Sequence, residues 1–560
     1  SSASSSPRGA RPRAPRGPRA AARAPGGALR HPEHSRRLRA ERSQPEFQGC
    51  WGRRQMSPGL AQPTGAALRA DQLRGLLLGC ALGDAVGLAT EFMTEEEAGA
   101  AYSGLLSRRA EAGEPAHLRP GDAVVDGHRS KWLPGDWTDD TDQTILVLRT
   151  MLPPSDASAG DCGSPSGGLR APDPLEFARS LVAWHLRGFP ELGDTGGCGM
   201  GRTTARVVDD QAFLHDPRAA ARLAWETTGR CLAPNGALMR AAITGIRGTR
   251  FAAQDAAAIA EVTHADPRST AACVAVATAT ALMLEGVGRT PAGGWDAGVL
   301  AAGALAAAER HLPDASELGV PPPQVWACSA CTMENAPTAE HCSICGAPAP
   351  ASGSGTINAG FGGAWSQQEA AERAYDRGPA LAELRAAVLG AGQPGAGAAK
   401  GWPRMDGPLM GYVNTCLAAG FCALRAACAG GRPVEEAAFC SAVHALTMAA
   451  GDADTNAAVA GALLGCAAGA RRLPAEWLRA CPHHDWLEKI ADALVEAALG
   501  PDQCSSGCEV ATSFVPADPR HAVDDGAPFL VETVLPSGLL LRTCEPPRSP
   551  TAALQRNTAT

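Results

Sequence analysis

Apolar residues recur at helical spacing along most of the chain between 71 and 469. DQLRGLLLGCALGDAVGLATEF (71–92) opens the series, and its small residues permit close contact with a neighbouring helix. The same periodicity predicts helices over 138–152, 174–188, 204–225, 252–263, 267–287, 296–311, 411–429, 434–449 and 455–469. Connections rich in Gly and Pro separate them, as in SDASAGDCGSPSGGLRAPDP at 155–174. Strand alternation is almost absent until FLVETVLPSGLLLRT (529–543), which predicts one hairpin around Pro536, Ser537 and Gly538. The expected fold is all-α: a multi-helix domain in two parts, 71–311 and 409–495. A Pro-, Gly- and Ser-rich insertion at 312–408 interrupts it and holds a compact Cys-rich unit at 324–348. An N-terminal arm (1–70) and a C-terminal tail (496–560) flank the body.

Composition agrees with helices. The chain is 45% hydrophobic but only 4% aromatic, and alanine-rich helices fit that balance better than a β-sandwich does. Net charge is −8, unevenly spread, because the first 55 residues are rich in Arg, Ala, Ser and Pro and nearly free of acid. Such an arm cannot pack a core and is expected to be disordered; it also fits an organelle transit peptide. No aromatics interleave its arginines, so nucleic acid is not an expected partner. No run reaches the roughly 18 unbroken apolar residues of a membrane span. Most of the 19 cysteines are scattered singly in apolar helices, where they read as small buried hydrophobes of a reducing compartment. The expected location is intracellular: cytoplasmic, or an organelle if the arm is a transit peptide.

Two acidic segments carry the chemistry. In WTDDTDQT, Thr138, Asp139, Asp140, Thr141 and Asp142 crowd the point where a loop feeds a helix. One N-cap needs one such side chain, not three carboxylates. Far downstream, AAGDADTNAAVAGALLG repeats the arrangement with Asp452, Asp454 and Thr455. Two acidic helix starts, each with threonine, suggest one shared site. Oxygen ligands with no His or Cys nearby favour Mg²⁺ or Mn²⁺ over zinc. An EF-hand is excluded by the missing Gly and Glu of its loop. ELGDTGGCGMGRTTARVV (191–208) adds a glycine-rich stretch entering a helix, with backbone N–H groups able to approach an anion, yet without the Walker lysine.

GCALGDAVGLATEF, WTDDTDQT, PNGALMRAA, VTHADP and AGDADTNAAVAGALLG follow one another in an order that resembles the ADP-ribosylglycohydrolase family, which includes dinitrogenase-reductase-activating glycohydrolases and J-type crystallins. The resemblance spans roughly 71–311 and 409–490. It implies an all-α fold, two Mg²⁺ or Mn²⁺ ions, and hydrolysis of the bond between ADP-ribose and a protein side chain or related compound. Matched motif by motif, it implies metal ligation by Thr138, Asp139, Asp140, Asp452, Asp454 and Thr455. It places Glu91 beside the metals, with Glu91 or Asp140 assisting proton transfer. It assigns Gly196, Gly197, Gly199, Gly201, Asn235, Gly236, Met239, Arg240 and His264 to the ADP-ribose cleft, with Arg240 either on phosphate or in a surface ion pair. Asp142 and Gln143 depart from the commonest family form; Asp142 is either an extra acid behind the metals or a surface residue. A catalytically inactive, crystallin-like ADP-ribose binder is the alternative within the family.

VWACSACTMENAPTAEHCSICGAP spaces Cys328, Cys331, Cys342 and Cys345 as a tetrahedral Cys₄ site for one structural Zn²⁺, without which so small a unit has too little core to fold. With Trp326 and Asn335 it resembles the NZF class of Ran-binding-protein zinc fingers. Thr332, Met333 and Ile344 stand where ubiquitin-binding members carry their contacts, and this finger has no arginine for RNA. Ubiquitin is therefore the expected partner, and a ubiquitin-binding adaptor with an inert helical scaffold is a further alternative.

Overall fold

Glycines every fourth residue, at 75, 79, 83 and 87, line one face of the first helix, α1 (Gly65–Gly87). In the computed structural model, that face lies directly on another helix, Ala453–Ala468. A Cβ added at Gly75, Gly79, Gly83 or Gly87 would collide with the carbonyl oxygen of Gly465, Gly461, Ala457 or Ala453 respectively. The relation is mutual, since a Cβ on Gly461 or Gly465 would strike the carbonyls of Gly79 or Gly75. Only side chains this small let two helix backbones touch along such a length.

The structure describes residues 65–153, 168–319, 374–390 and 404–500, and elsewhere only the backbone pairing of three two-stranded ribbons. After α1 come α2 (Glu95–Glu111), α3 (Asp139–Met151), α4 (Pro174–Arg187), α5 (Arg202–Val208), α6 (Pro217–Thr227), α7 (Thr249–Ala260), α8 (Pro267–Leu284) and α9 (Ala297–Ala308). Then follow α10 (Arg377–Leu389), α11 (Val413–Ala427), α12 (Glu436–Met448), α13 (Ala453–Ala468), α14 (Ala475–Ala480) and α15 (His484–Leu499). The expected all-α class is what the structure has. Helix α8 forms the centre of the core: it is apolar and long enough to cross a membrane, but 94% of it is buried inside the fold.

Three expectations change. The single helix expected over 204–225 is two, α5 and α6, because Asp216 caps a new start and Pro217 sits at its first position. Helix α2 was not expected; its signature is the capping box, in which Thr94 Oγ1 accepts from Glu97 N and the Glu97 carboxylate accepts from Thr94 N. The interruption is narrower than 312–408, because α10 packs into the body through buried Ala380, Leu384, Ala387 and Val388, and Tyr375 N donates to Arg230 O. The hairpin near the C-terminus pairs Leu530 with Cys544 through Val534 with Leu540. Cys328, Cys331, Cys342, Cys345, Thr332, Met333 and Ile344 lie outside the described residues; beside them only the backbone pairing of Trp326 with Asn335 and Ala327 with Glu334 is described.

Gly79→Val should destabilise the fold by more than ~3 kcal/mol, because the clash is with backbone that no rotamer change relieves. Gly104→Ala on the exposed face of α2 should instead add about 0.5–1 kcal/mol. Urea unfolding of both variants checks this, and equal midpoints would contradict the account.

Candidate metal centre and its cavity

The helix contact brings the two acidic segments together. Thr138 caps α3 and Asp452 precedes α13, so both aspartate pairs stand at helix starts. Thr455 Oγ1 donates to Asp140 Oδ1 at 3.2 Å, and Thr138 Oγ1 lies 3.5 Å from Asp454 Oδ2, each across more than 300 residues of sequence. Carboxylate oxygens of Glu91, Asp452 and Asp454 lie within 4.8 Å of one another, and so do those of Asp84, Asp140 and Asp454. Asp454 belongs to both groups, so two cation positions would share it.

These acids are buried, with exposures of 7% or less. Burial first, then the charge of Glu91, pushes the Asp452 carboxyl up to about 6. Asp139, Asp140 and Asp454 are driven well above the ordinary carboxylate range by burial and then by the surrounding carboxylates. Yet Asp140 Oδ2 and Asp454 Oδ1 are buried without any hydrogen-bond donor. Orphaned carboxylate oxygens in a cluster of like charge are what hard divalent cations fit.

Above the carboxylates opens a cavity of about 620 Å³. Thr138, Asp139, Asp452, Asp454, Thr455 and Glu91 line its floor side, and Gly197, Gly199, Gly201, Asn235, Gly236, Met239 and His264 also line it. Asn235 Nδ2 donates to Asp452 Oδ2 at 2.7 Å, and Gln143 Nε2 to Asp139 Oδ2 at 2.8 Å. Gly199 has φ +106° and a Cβ there would meet Asp139 Oδ1 at 2.5 Å, so only glycine lets the loop close on the acids. Phe92, next to Glu91, and Ala450, just before the second acidic loop, hold left-handed backbone at φ 61° and 59°, a conformation costing ~1–3 kcal/mol that the structure maintains. Phe92 N donates to Gly451 O at 2.6 Å, and Gly451 N to Met93 O at 2.9 Å, which ties the Glu91 segment to the second acidic loop.

His264 is neutral: burial, then Arg240, pushes its pKa down to about 3. Arg240 Nη2 donates to Thr263 Oγ1, which is hydrogen-bonded to His264 Nδ1 at 2.8 Å. The other ring nitrogen, Nε2, is buried and unpartnered.

Several expected residues stand elsewhere. Arg240 touches neither phosphate space nor surface. It is fully buried, donates to Gln143 Oε1, Gly236 O and Thr263 Oγ1, and stacks over Phe177 at 4.9 Å. Gly196 does not line the cavity but lies against the His185 carbonyl. Asp140 sits behind the cavity wall, leaving Glu91 as the lining carboxylate of the two expected proton-transfer groups. Asp142 is no surface residue: it is 4% exposed and accepts from the indoles of Trp137 at 2.8 Å and Trp184 at 3.0 Å. Sequence reasoning missed Asp84, whose signal was a lone acid inside an apolar helix. It also missed the rim of Phe92, His128, Lys131, Trp132, Arg202 and Met410. His128 Nε2 meets Glu91 Oε2 at 2.6 Å and is flanked by Phe92 and Trp132, with ring centroids 5.0 and 5.2 Å away.

A helical fold with a cavity floored by buried carboxylates and rimmed by cationic and aromatic side chains defines a class suited to hard cations beside a polar ligand. The chain belongs to the ADP-ribosylglycohydrolase family, whose sequence model matches residues 65–504. It is similar to the ADP-ribosylarginine hydrolase Tri1 of Serratia proteamaculans (strain 568), with 27% identity over 209 residues, 36% of this chain and 44% of the relative. The chain thus spans less than half the length of that relative. It is also similar to a solved structure described as an ADP-ribosylglycohydrolase-related protein complex, with 20% identity and a TM-score of 0.41, over 77% of this chain and 99% of that one.

The raised pKa values set a pH dependence for cation uptake. In the metal-free protein these groups hold protons up to about pH 6 and beyond, so their contribution to stability falls as pH rises through that range. Divalent cations held by Asp139, Asp140, Asp452 and Asp454 would displace the protons of those groups. The stabilisation by Mg²⁺ or Mn²⁺, read as a rise in melting temperature, should therefore be small near about pH 5 and large near about pH 8, approaching ~2.7 kcal/mol per site at a hundredfold excess over Kd. A thermal-shift series across that range that is flat, or larger at the acid end, contradicts the assignment.

Proposed function

We propose that this protein is a dinuclear Mg²⁺- or Mn²⁺-dependent hydrolase that releases ADP-ribose from modified protein side chains. The observation that carries the reading is the cavity's split polarity. Buried carboxylates with unfilled oxygens lie at its floor (Asp454) and just behind it (Asp140), and its rim exposes Lys131 and Arg202. A diphosphate fits the cationic rim while a ribose diol reaches the floor. The volume of about 620 Å³ lies within the ~300–1,000 Å³ of small-ligand sites.

Asp139, Asp140, Asp452 and Asp454, with the hydroxyls of Thr138 and Thr455, would hold the two ions. When bound, these supply Lewis-acid charge that orients vicinal hydroxyls and acidifies a water. The chain supplies the rest. Glu91, fixed by His128, is placed to accept the proton of the attacking water. His264 Nε2 hydrogen-bonds to the ligand, and the glycines of 197–201 bring backbone close to it. Water oxygen bonds to the anomeric carbon, and the bond to the side chain breaks with its electron pair leaving on the side-chain atom. The proton taken by Glu91 returns to that atom. Arginine is the first linkage to test, since one relative is named for it.

Asp454→Ala should abolish release of ADP-ribose from an ADP-ribosylated arginine or serine peptide in the presence of Mg²⁺, at least a hundredfold below wild type. Retained turnover would remove the assignment, and failure of the wild type on both peptides would favour a binder without turnover.

The second element of the proposal is a Cys₄ zinc finger at 324–348 that recruits the enzyme to ubiquitin through Thr332, Met333 and Ile344. We place the protein in a reducing intracellular compartment, consistent with seven buried cysteines (Cys80, Cys273, Cys416, Cys428, Cys440, Cys466 and Cys481) that form no disulfide among the described residues. The protein should contain one zinc per chain and bind ubiquitin, with Thr332→Ala/Met333→Ala losing that binding at unchanged zinc content. Equal ubiquitin titrations of both forms would exclude this surface.

A further inference from the structure

Asp84 sits in the last turn of α1, one residue beyond Gly83, and is fully buried. By proximity it belongs with the candidate ligands, since an oxygen of its carboxylate lies within 4.8 Å of oxygens on Asp140 and Asp454. Its hydrogen bonds argue otherwise. Oδ1 accepts from Thr138 N at 3.0 Å and Thr138 Oγ1 at 2.9 Å. Oδ2 accepts from Thr141 N at 3.0 Å and Thr141 Oγ1 at 2.7 Å. A carboxylate offers about four acceptor positions, and these four donors fill them. Ligating a cation would strand at least one buried donor. Asp140 and Asp454 differ, each keeping one buried oxygen with no donor at all.

The donors Asp84 grips also have a meaning. Thr138 and Thr141 bracket Asp139 and Asp140 in the chain, and their two amides are among the orphan N–H groups that begin α3. A carboxylate delivered by a different helix satisfies both and fixes the first turn of α3 in angle and depth. Because Gly83 seats α1 on Ala457, the depth of Asp84 follows from the same helix contact that places Asp454.

We propose that Asp84 is not a metal ligand but the positioning residue of the metal centre. Working through Thr138 and Thr141, it aims Asp139 and Asp140 at the cations. The inference rests on the divalent-cation reading above. It assigns one buried carboxylate to the protein's own donors and leaves the neighbouring ones to the ions. Partners behind a metal's ligands typically govern ~10–100-fold in affinity.

Mn²⁺ titration of the full chain by calorimetry tests this, with wild type, Thr141→Val, Thr141→Ser and Asp84→Asn compared and the metal-free melting temperature recorded for each. Thr141→Val keeps the branched shape and removes only the hydroxyl, so it carries the test even where Asp84→Asn fails to fold. The expected result is unchanged stoichiometry with Kd raised about tenfold in Thr141→Val, near-wild-type affinity in Thr141→Ser, and a loss in Asp84→Asn at least as large as in Thr141→Val. Wild-type affinity in Thr141→Val overturns the inference, as does the loss of one bound ion in Asp84→Asn alone, which would make Asp84 a ligand. Absence of Mn²⁺ uptake by the wild type overturns the cation reading and this inference with it. Normal wild-type uptake with an indifferent Thr141→Val overturns the inference only.

Discussion

The backbone contact between α1 and α13 is the constraint on which the site depends. Glycines at four-residue intervals let the two helices meet without intervening side chains, and that contact sets the depth of everything attached to them. Asp84 rides on α1, Asp454 begins α13, and the Glu91 loop leaves α1 where the second acidic loop arrives. A wider spacing would separate carboxylates that now lie within 4.8 Å of one another. Small residues here do not merely tolerate packing; they fix the geometry of a charge cluster.

That cluster is costly to bury, and the structure shows where the cost is contained. Two acids around the centre are filled by protein donors: Asp84 by two threonines, and Asp142 by two indoles. The remaining oxygens, on Asp140 and Asp454, are left bare. Arg240 shows the same discipline with opposite charge, holding Gln143, Gly236 and Thr263 in place and, through Thr263, the ring of His264. Its guanidinium acts on the ligand space only indirectly.

The sequence made the two acidic loops legible because repeated Asp and Thr at two helix starts exceed what capping requires. The all-α body was legible from periodicity, since helices such as α8 and α13 carry long uninterrupted patterns. Other features were not. Helix α2 hid because its face is polar and its evidence lay in one capping box. Asp84 hid because a single acid in GCALGDAVG gives no sign of which donors it will meet across the fold. Arg240 misled because a basic residue near a ligand motif suggests phosphate, whereas only tertiary packing shows it enclosed by Phe177 and three acceptors. The rim of His128, Lys131, Trp132 and Arg202 is drawn from segments without a shared motif, and only the closed fold assembles it.

The central claim is that two distant acidic loops close around a pair of divalent ions. Anomalous diffraction from a crystal of the full chain grown with Mn²⁺ tests it most directly. The account predicts two manganese peaks among Asp139, Asp140, Asp452 and Asp454, with Asp454 touching both. A single peak elsewhere, or none at saturating Mn²⁺, would contradict it.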